Sequence, residues 1–208
     1  MLFAELAATS GAVAATTKRN DKVAVLAEVL GRLDLDEIAP AVAFLVGTTP
    51  LGRVGVGWAA LSAARPDPAL SATLTVAGVD RAIRGLDALS GDGVAAARRA
   101  QLDQLLARAT ADEQRLLVGV LGGELRQGAN EGVLVSAVAA AADVPVAAVR
   151  RAAMLSGRID VAAGAALIGG RTALDAIELE PGRAVQPMLA STASSVADSM
   201  AARRTAAT

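Results

Sequence analysis

Apolar positions recur along most of this chain at i, i+3, i+4 and i+7, the period of an amphipathic helix rather than of a strand. Leu26, Val29, Leu30 and Leu33 line one such face. Leu102, Leu105, Leu106 and Ala109 line another. Each face runs to a short break, after which a polar residue opens a second helix. At the later break this is Thr110, with Glu113 three residues on, the pattern of a capping box; at the earlier one it is Asp34 with Glu37, a near relative. Both second helices are expected to stop at a glycine, Gly47 and Gly123. Further on, the pattern predicts helices over 79–89 and 94–109, separated by "SGDG". Another runs from a first turn at Pro145 to about residue 155, and a short helical piece covers 159–168. Residues 64–78, with two prolines, read as a connector. From Leu179 the stretch "LEPGRAVQPMLAS" reads as extended, because Pro181 and Pro187 disfavour helix, and the end reads as a frayed helix. The fold class expected is all-α.

The two helix pairs are copies of one pattern. Residues 26–47 lie over 102–123 without a gap, and eight of 22 positions agree: Leu26/Leu102, Leu30/Leu106, Arg32/Arg108, Asp36/Asp112, Glu37/Glu113, Val42/Val118, Leu45/Leu121 and Gly47/Gly123. The agreement continues past the glycine stop after a three-residue gap. There "LGRVGVGWAAL" (51–61) lies over "ELRQGANEGVL" (124–134), matching Arg53 to Arg126, Gly55 to Gly128 and Leu61 to Leu134. A pattern used twice points to a structural unit used twice. We therefore expect two pseudo-symmetric helical halves, about 22–64 and 98–141, inside one helical domain over 1–178, followed by a linker over 179–208.

In both copies an Arg-x-Gly triplet stands where a third helix begins. The segment "GGELRQGANEG" (122–132) puts four glycines and an asparagine, all poor helix formers, between two well-formed helices. At a helix start the first N–H groups lack intrahelical partners and the macrodipole is positive. Glycine admits a phosphate to those groups, and arginine adds a planar charged fork. Such a site holds a nucleic-acid backbone without reading its bases. The alternative is that Gly55, Gly57 and Gly128 serve only tight turns or close helix packing. Three further basic groups, "TTKRND" (16–21), Arg98–Arg99 and Arg150–Arg151, carry the same two readings. One arginine of the last pair is expected to face solvent.

Composition narrows the chemistry. Hydrophobic residues make up 53% of the 208, but the aromatics are only Phe3, Phe44 and Trp58, which favours closely packed helices. With no histidine and no cysteine, a Ser-His-Asp triad, a histidine base, thiolate metal sites and disulfides are excluded. Neither lysine follows a glycine, so there is no Walker A loop, and "GVG" is too short for a dinucleotide fingerprint. Glu124 with Glu131, or Glu178 with Glu180, could form an acid–base pair, though solvated charges are the simpler reading. Net charge is −1, unlike a general nucleic-acid coat protein, and 18 of the 20 cations are arginine. Mean hydropathy is +0.46, yet the longest uncharged run, 38–52, contains Pro40 and Pro50 and falls short of the roughly 20 residues that a spanning helix needs. A soluble intracellular protein, cytoplasmic, working away from membranes and as a monomer, is expected.

"GELRQG" with its following helix, "LGRVGVGWAAL", and "PMLA" (187–190) resemble the N-terminal DNA-binding region of ATP-dependent DNA ligases. The resemblance runs from about residue 2 to 190 and is nearest to the actinobacterial form called ligase B. It implies an all-helical, pseudo-symmetric domain that grips duplex DNA on both sides of a nick through backbone and minor groove. It sets Arg53, Gly55, Gly57, Arg126, Gly128 and Asn130 at the two helix starts that face DNA, and Arg19 at a basic position before the second helix. "PMLA" leads, in that family, into a nucleotidyltransferase domain whose Lys-x-Asp-Gly motif carries AMP. Here Lys18 is followed by "RND" and Lys22 by "VAV", so the motif is absent. ATP and Mg²⁺ would belong to a separate catalytic domain, and this chain is expected to bind nicked DNA without sealing it. The competing readings are a helical scaffold that binds protein and not DNA, and a ligase with an unrecognised site.

Overall fold

The computed structural model of the chain describes residues 1–52, 54–64, 66–125, 127–179 and 182. Among them every regular element is a helix: α1 (Phe3–Ala15), α2 (Arg19–Leu30), α3 (Leu35–Val46), α4 (Trp58–Ala63), α5 (Val76–Ala88), α6 (Val94–Ala107), α7 (Ala111–Gly122), α8 (Glu131–Ala141), α9 (Val146–Ser156) and α10 (Ile159–Asp175). The all-α expectation holds. None of these helices is long and apolar enough to cross a membrane.

The helix ends follow from local chemistry. Glu37 Oε2 accepts the Asp34 N–H at 3.3 Å, and Glu113 Oε2 accepts the Thr110 N–H at 2.8 Å, so both expected glutamate caps are made. α3 and α7 stop at Gly47 (φ 83°) and Gly123 (φ 68°), the left-handed C-cap that glycine adopts without strain. Two boundaries differ from the sequence reading. The helix expected over 79–89 begins at Val76, because the Thr75 hydroxyl accepts the Gly78 N–H at 3.0 Å and caps it earlier. The helix expected over 94–109 ends at Ala107, whereas the piece expected over 159–168 does end near there: Gly170 (φ 59°, ψ −147°) is non-helical and separates it from a further helical stretch to Asp175. The extended linker and frayed helix expected beyond Leu179 lie outside the described residues, Gly182 excepted.

One continuous core joins the helices. Phe3 and Phe44 meet edge to face, centroids 5.7 Å apart, among fully buried Leu6, Leu26, Leu30, Ile38, Leu102 and Leu106. Each such side chain contributes about 1.5–3 kcal/mol by leaving water. α8 buries Val133, Leu134, Val135, Ala137, Val138 and Ala139, and a helix apolar on so many sides must lie inside. It is flanked by α2, α3, α9 and α10.

The pairings exchange partners between the two copies. α1 packs on α2 as α5 packs on α6. α1 also packs on α7, as α5 does on α3, and α4 touches α7 as α8 touches α3. The first turns of α1 and α5 are tied where Leu2 and Thr75 form an isolated antiparallel bridge, with Phe3 N–H to Leu74 O at 2.8 Å. The copies are unequal in their third helix: α4 has six residues and α8 eleven.

Candidate nucleic-acid interface

The two Arg-x-Gly segments fall between α3 and α4 and between α7 and α8, and their described residues share three features. Gly55 (φ 52°) and Gly128 (φ 75°) both hold left-handed conformations. The residue before each is buried: Val54 in one loop, Gln127 in the other. Two residues after each comes a helix N-cap, Gly57 for α4 and Asn130 for α8. The Asn130 side chain accepts the Val133 N–H at 3.0 Å, and Glu131 occupies the first turn. The start of α8 is thus capped from within, while Gly57 brings no side chain to α4. Arg53 and Arg126, the arginines of the two triplets, lie outside the described residues.

The α3–α4 loop opens on a cleft whose other wall is the end of α7. It is lined by Gly47, Thr48, Gly52, residues 54–57 and residues 120–123, with a volume of about 600 Å³. Leu125 explains two of the glycines around it. A Cβ at Gly47 would stand 2.9 Å from the Leu125 Cβ, and one at Gly119 would stand 3.0 Å from its Cδ1. The α7–α8 loop can therefore seat Leu125 only against bare backbone on α3 and α7. Trp58, first residue of α4, stands 61% exposed just beyond this cleft, with Leu51 partly exposed in the same loop.

Gln127 anchors the α7–α8 loop to three other helices. Its side chain donates to Leu45 O on α3 at 2.5 Å and accepts from the Ser10 hydroxyl on α1. Its carbonyl accepts from Lys22 Nζ on α2 at 3.1 Å. The same Lys22 head group rests against Gly128, where a Cβ would overlap it. In the other loop Arg98 of α6 does likewise: a Cβ at Gly55 would lie 3.3 Å from one of its terminal nitrogens. Arg98 also clasps the end of α5, donating to Leu86 O at 3.1 Å and Leu89 O at 2.9 Å.

The remaining sequence candidates are placed as follows. Arg19 is exposed at the start of α2 and donates to Gly132 O at 2.8 Å and Ser136 Oγ at 3.0 Å, which brings it beside the α8 start. Within "TTKRND", the Thr16 hydroxyl accepts the Lys18 N–H at 3.1 Å and donates to Asp21 at 3.4 Å, tying the turn before α2. Arg99 pairs with Asp103 at 2.8 Å and reaches Ala63 O. Arg150 and Arg151 are both exposed, where one was expected to be. Glu124, Glu131 and Glu178 are exposed, and Glu180 lies outside the described residues. Among the described residues no three acidic, histidine or cysteine side chains gather where they could hold a metal ion. Sequence reasoning missed Lys22 and Gln127. The signal for the first was present: Lys22 and Arg98 are 76 positions apart, the spacing of the repeat, four residues before the alignment began.

Comparison with known proteins bears on what such a scaffold belongs to. Residues 58–139, from the start of α4 into α8, match the family described as DNA ligase N terminus. The chain is 51% identical over 198 residues to a probable DNA ligase of Rhodococcus opacus (strain B4), covering 95% of this chain and 39% of the relative. It is 51% identical over 205 residues to one of Anaeromyxobacter dehalogenans (strain 2CP-C), covering 97% and 40%. A probable DNA ligase of Pseudarthrobacter chlorophenolicus is 53% identical over 196 residues, covering 94% and 39%. The chain therefore spans about two fifths of the length of these relatives. With about half of the aligned residues identical over nearly the whole chain, and a family match that takes in α4 to most of α8 with the α7–α8 loop, the chain is similar to the N-terminal part of a DNA ligase.

Proposed function

We propose that this domain grips duplex DNA, without regard to sequence, as the N-terminal part of an ATP-dependent ligase acting on nicks in DNA repair and replication. The observation that carries the reading is the doubled loop: two positive-φ glycines, each after an arginine in the chain, each before a helix start and each with a cation from another helix against it. Two like contacts suit the two backbones flanking a nick, and backbone contacts position a protein without reading bases. The pairings shared by α1–α4 and α5–α8 support two pseudo-symmetric halves, one for each side. The catalytic domain that would supply ATP, Mg²⁺ and the sealing chemistry is a separate region. The residues present do not fit an adenylate carrier: neither lysine stands in Lys-x-Asp-Gly, and Lys22 is held to Gln127. The domain works as a monomer in the bacterial cytoplasm, at the nucleoid.

Fluorescence anisotropy with a nicked duplex and its sealed counterpart, over about 50–200 mM salt, tests this. Binding that weakens steeply with salt is expected, and Arg126→Ala is expected to weaken it without loss of helix content. No binding by the parent chain at the low-salt end would overturn the reading.

A further inference from the structure

We infer that Lys22 and Arg98 are two equivalent phosphate contacts, one for each glycine loop; the inference rests on the DNA-gripping reading above. The two residues occupy the same place in α2 and α6, at the spacing of the repeat. Each reaches from one copy into the loop of the other, Lys22 to Gly128 and Arg98 to Gly55. Each is held in place by backbone carbonyls and has donors to spare. Lys22 is seen to donate to Gln127 O, which leaves ammonium protons free. Arg98 donates through Nε and one terminal nitrogen, while the other terminal nitrogen is the atom facing Gly55.

Half of the other described lysines and arginines are paired with acids, and these two are not. Arg32, Arg84, Arg99, Arg115, Arg158 and Arg171 are each neutralised by a carboxylate. Lys22 and Arg98 pair with none among the described residues. A brace for a loop needs only a neutral donor, such as an amide. Both positions instead carry an unneutralised cation, half-buried and fixed in orientation, beside a residue with no side chain of its own. That is a preorganised contact for an anion approaching the loop backbone, and on this surface the anion is a DNA phosphate.

The salt dependence of duplex binding by the whole chain separates a charge contact from a brace. Each phosphate contact adds about 0.9 to the slope of log K against log salt. Lys22→Gln and Arg98→Gln are each expected to lower the slope by about that much, and the double variant by about twice as much. Lys22→Arg and Arg98→Lys are expected to keep the parent slope. Circular dichroism identifies any variant that fails to fold; should Arg98→Gln do so, the Lys22 pair decides. Folded glutamine variants that bind more weakly with an unchanged slope would make both residues braces and overturn the inference, leaving DNA binding intact. A parent chain that does not bind would overturn both.

Discussion

Gly128 and Gly132 lie four residues apart and are glycine for different reasons. Gly128 has φ 75° and carries the Lys22 head group against it. Gly132 is inside α8, where a Cβ would meet nothing closer than 3.5 Å. Gly128→Ala is expected to cost about 1–2 kcal/mol, the strain of a left-handed L-residue. Gly132→Ala should gain about 0.5–1 kcal/mol by restoring helix propensity. Opposite shifts in thermal midpoint would bear this out. Glu37 and Glu113 make a second instructive pair. Both are buried and both cap their own helix, but the second oxygen of Glu37 takes the Met1 ammonium at 2.5 Å, while that of Glu113 has no partner among the described residues. The hydrogen bond to Glu37 holds the amine's pKa above its ordinary 8.0, although burial works against it. The fold thus favours the protonated amine, so this stabilisation is full below pH 8.0 and is lost as pH rises through the folded value. With no histidine, cysteine or tyrosine in the chain, little else titrates there. Urea midpoints measured from pH 7 to 10 should fall for the parent and fall less for Glu37→Gln. At pH 7, Glu37→Gln should cost more than Glu113→Gln, since only the former breaks an ion pair.

At the scale of elements, the α7–α8 loop is held more firmly than its composition suggests. Gln127 ties it to α1, α2 and α3. Gln127→Ala removes two buried side-chain hydrogen bonds and leaves their partners unsatisfied, so a loss of about 1–3 kcal/mol is expected in urea unfolding. The α3–α4 loop has Val54 in the equivalent place, buried but with no side-chain donor or acceptor. That contrast was not readable from spacing: the repeat shows that a residue stands between Arg and Gly, but not that it is buried. Nor could spacing separate the two third helices. α4 buries only Leu61, whereas α8 lies in the middle of the fold, because among the described residues α9 and α10 cover it and no further helix pair covers α4. The early start of α5 was missed for a simpler reason. The Thr75 hydroxyl cap extends the helix across residues that the hydrophobic period alone would exclude.

For the whole molecule, the interlocked pairings make the copies interdependent. α1 lies on α7, α2 on α8 and α3 on α10 and α5, so the first copy has its apolar faces on elements beyond residue 64. A fragment of residues 1–64 is therefore expected to lack a cooperative thermal transition by circular dichroism. An independently folding half would show one. The sequence by itself determined what is settled within a few residues: the helical period, the glutamate caps at Asp34 and Thr110, the glycine stops, and the twofold use of Arg-x-Gly. It also carried the family likeness, because those short motifs are distinctive. Tertiary structure decided what depends on residues far apart in the chain. It brought Lys22 to a loop 105 residues away, set Arg98 against Gly55, buried Gln127, and set the α3–α4 loop and the end of α7 around one cleft. The division has a physical cause. A cap or a turn is selected by hydrogen bonds and φ angles among near neighbours, which the sequence states directly. Which cation meets which glycine is selected by how ten helices share one core.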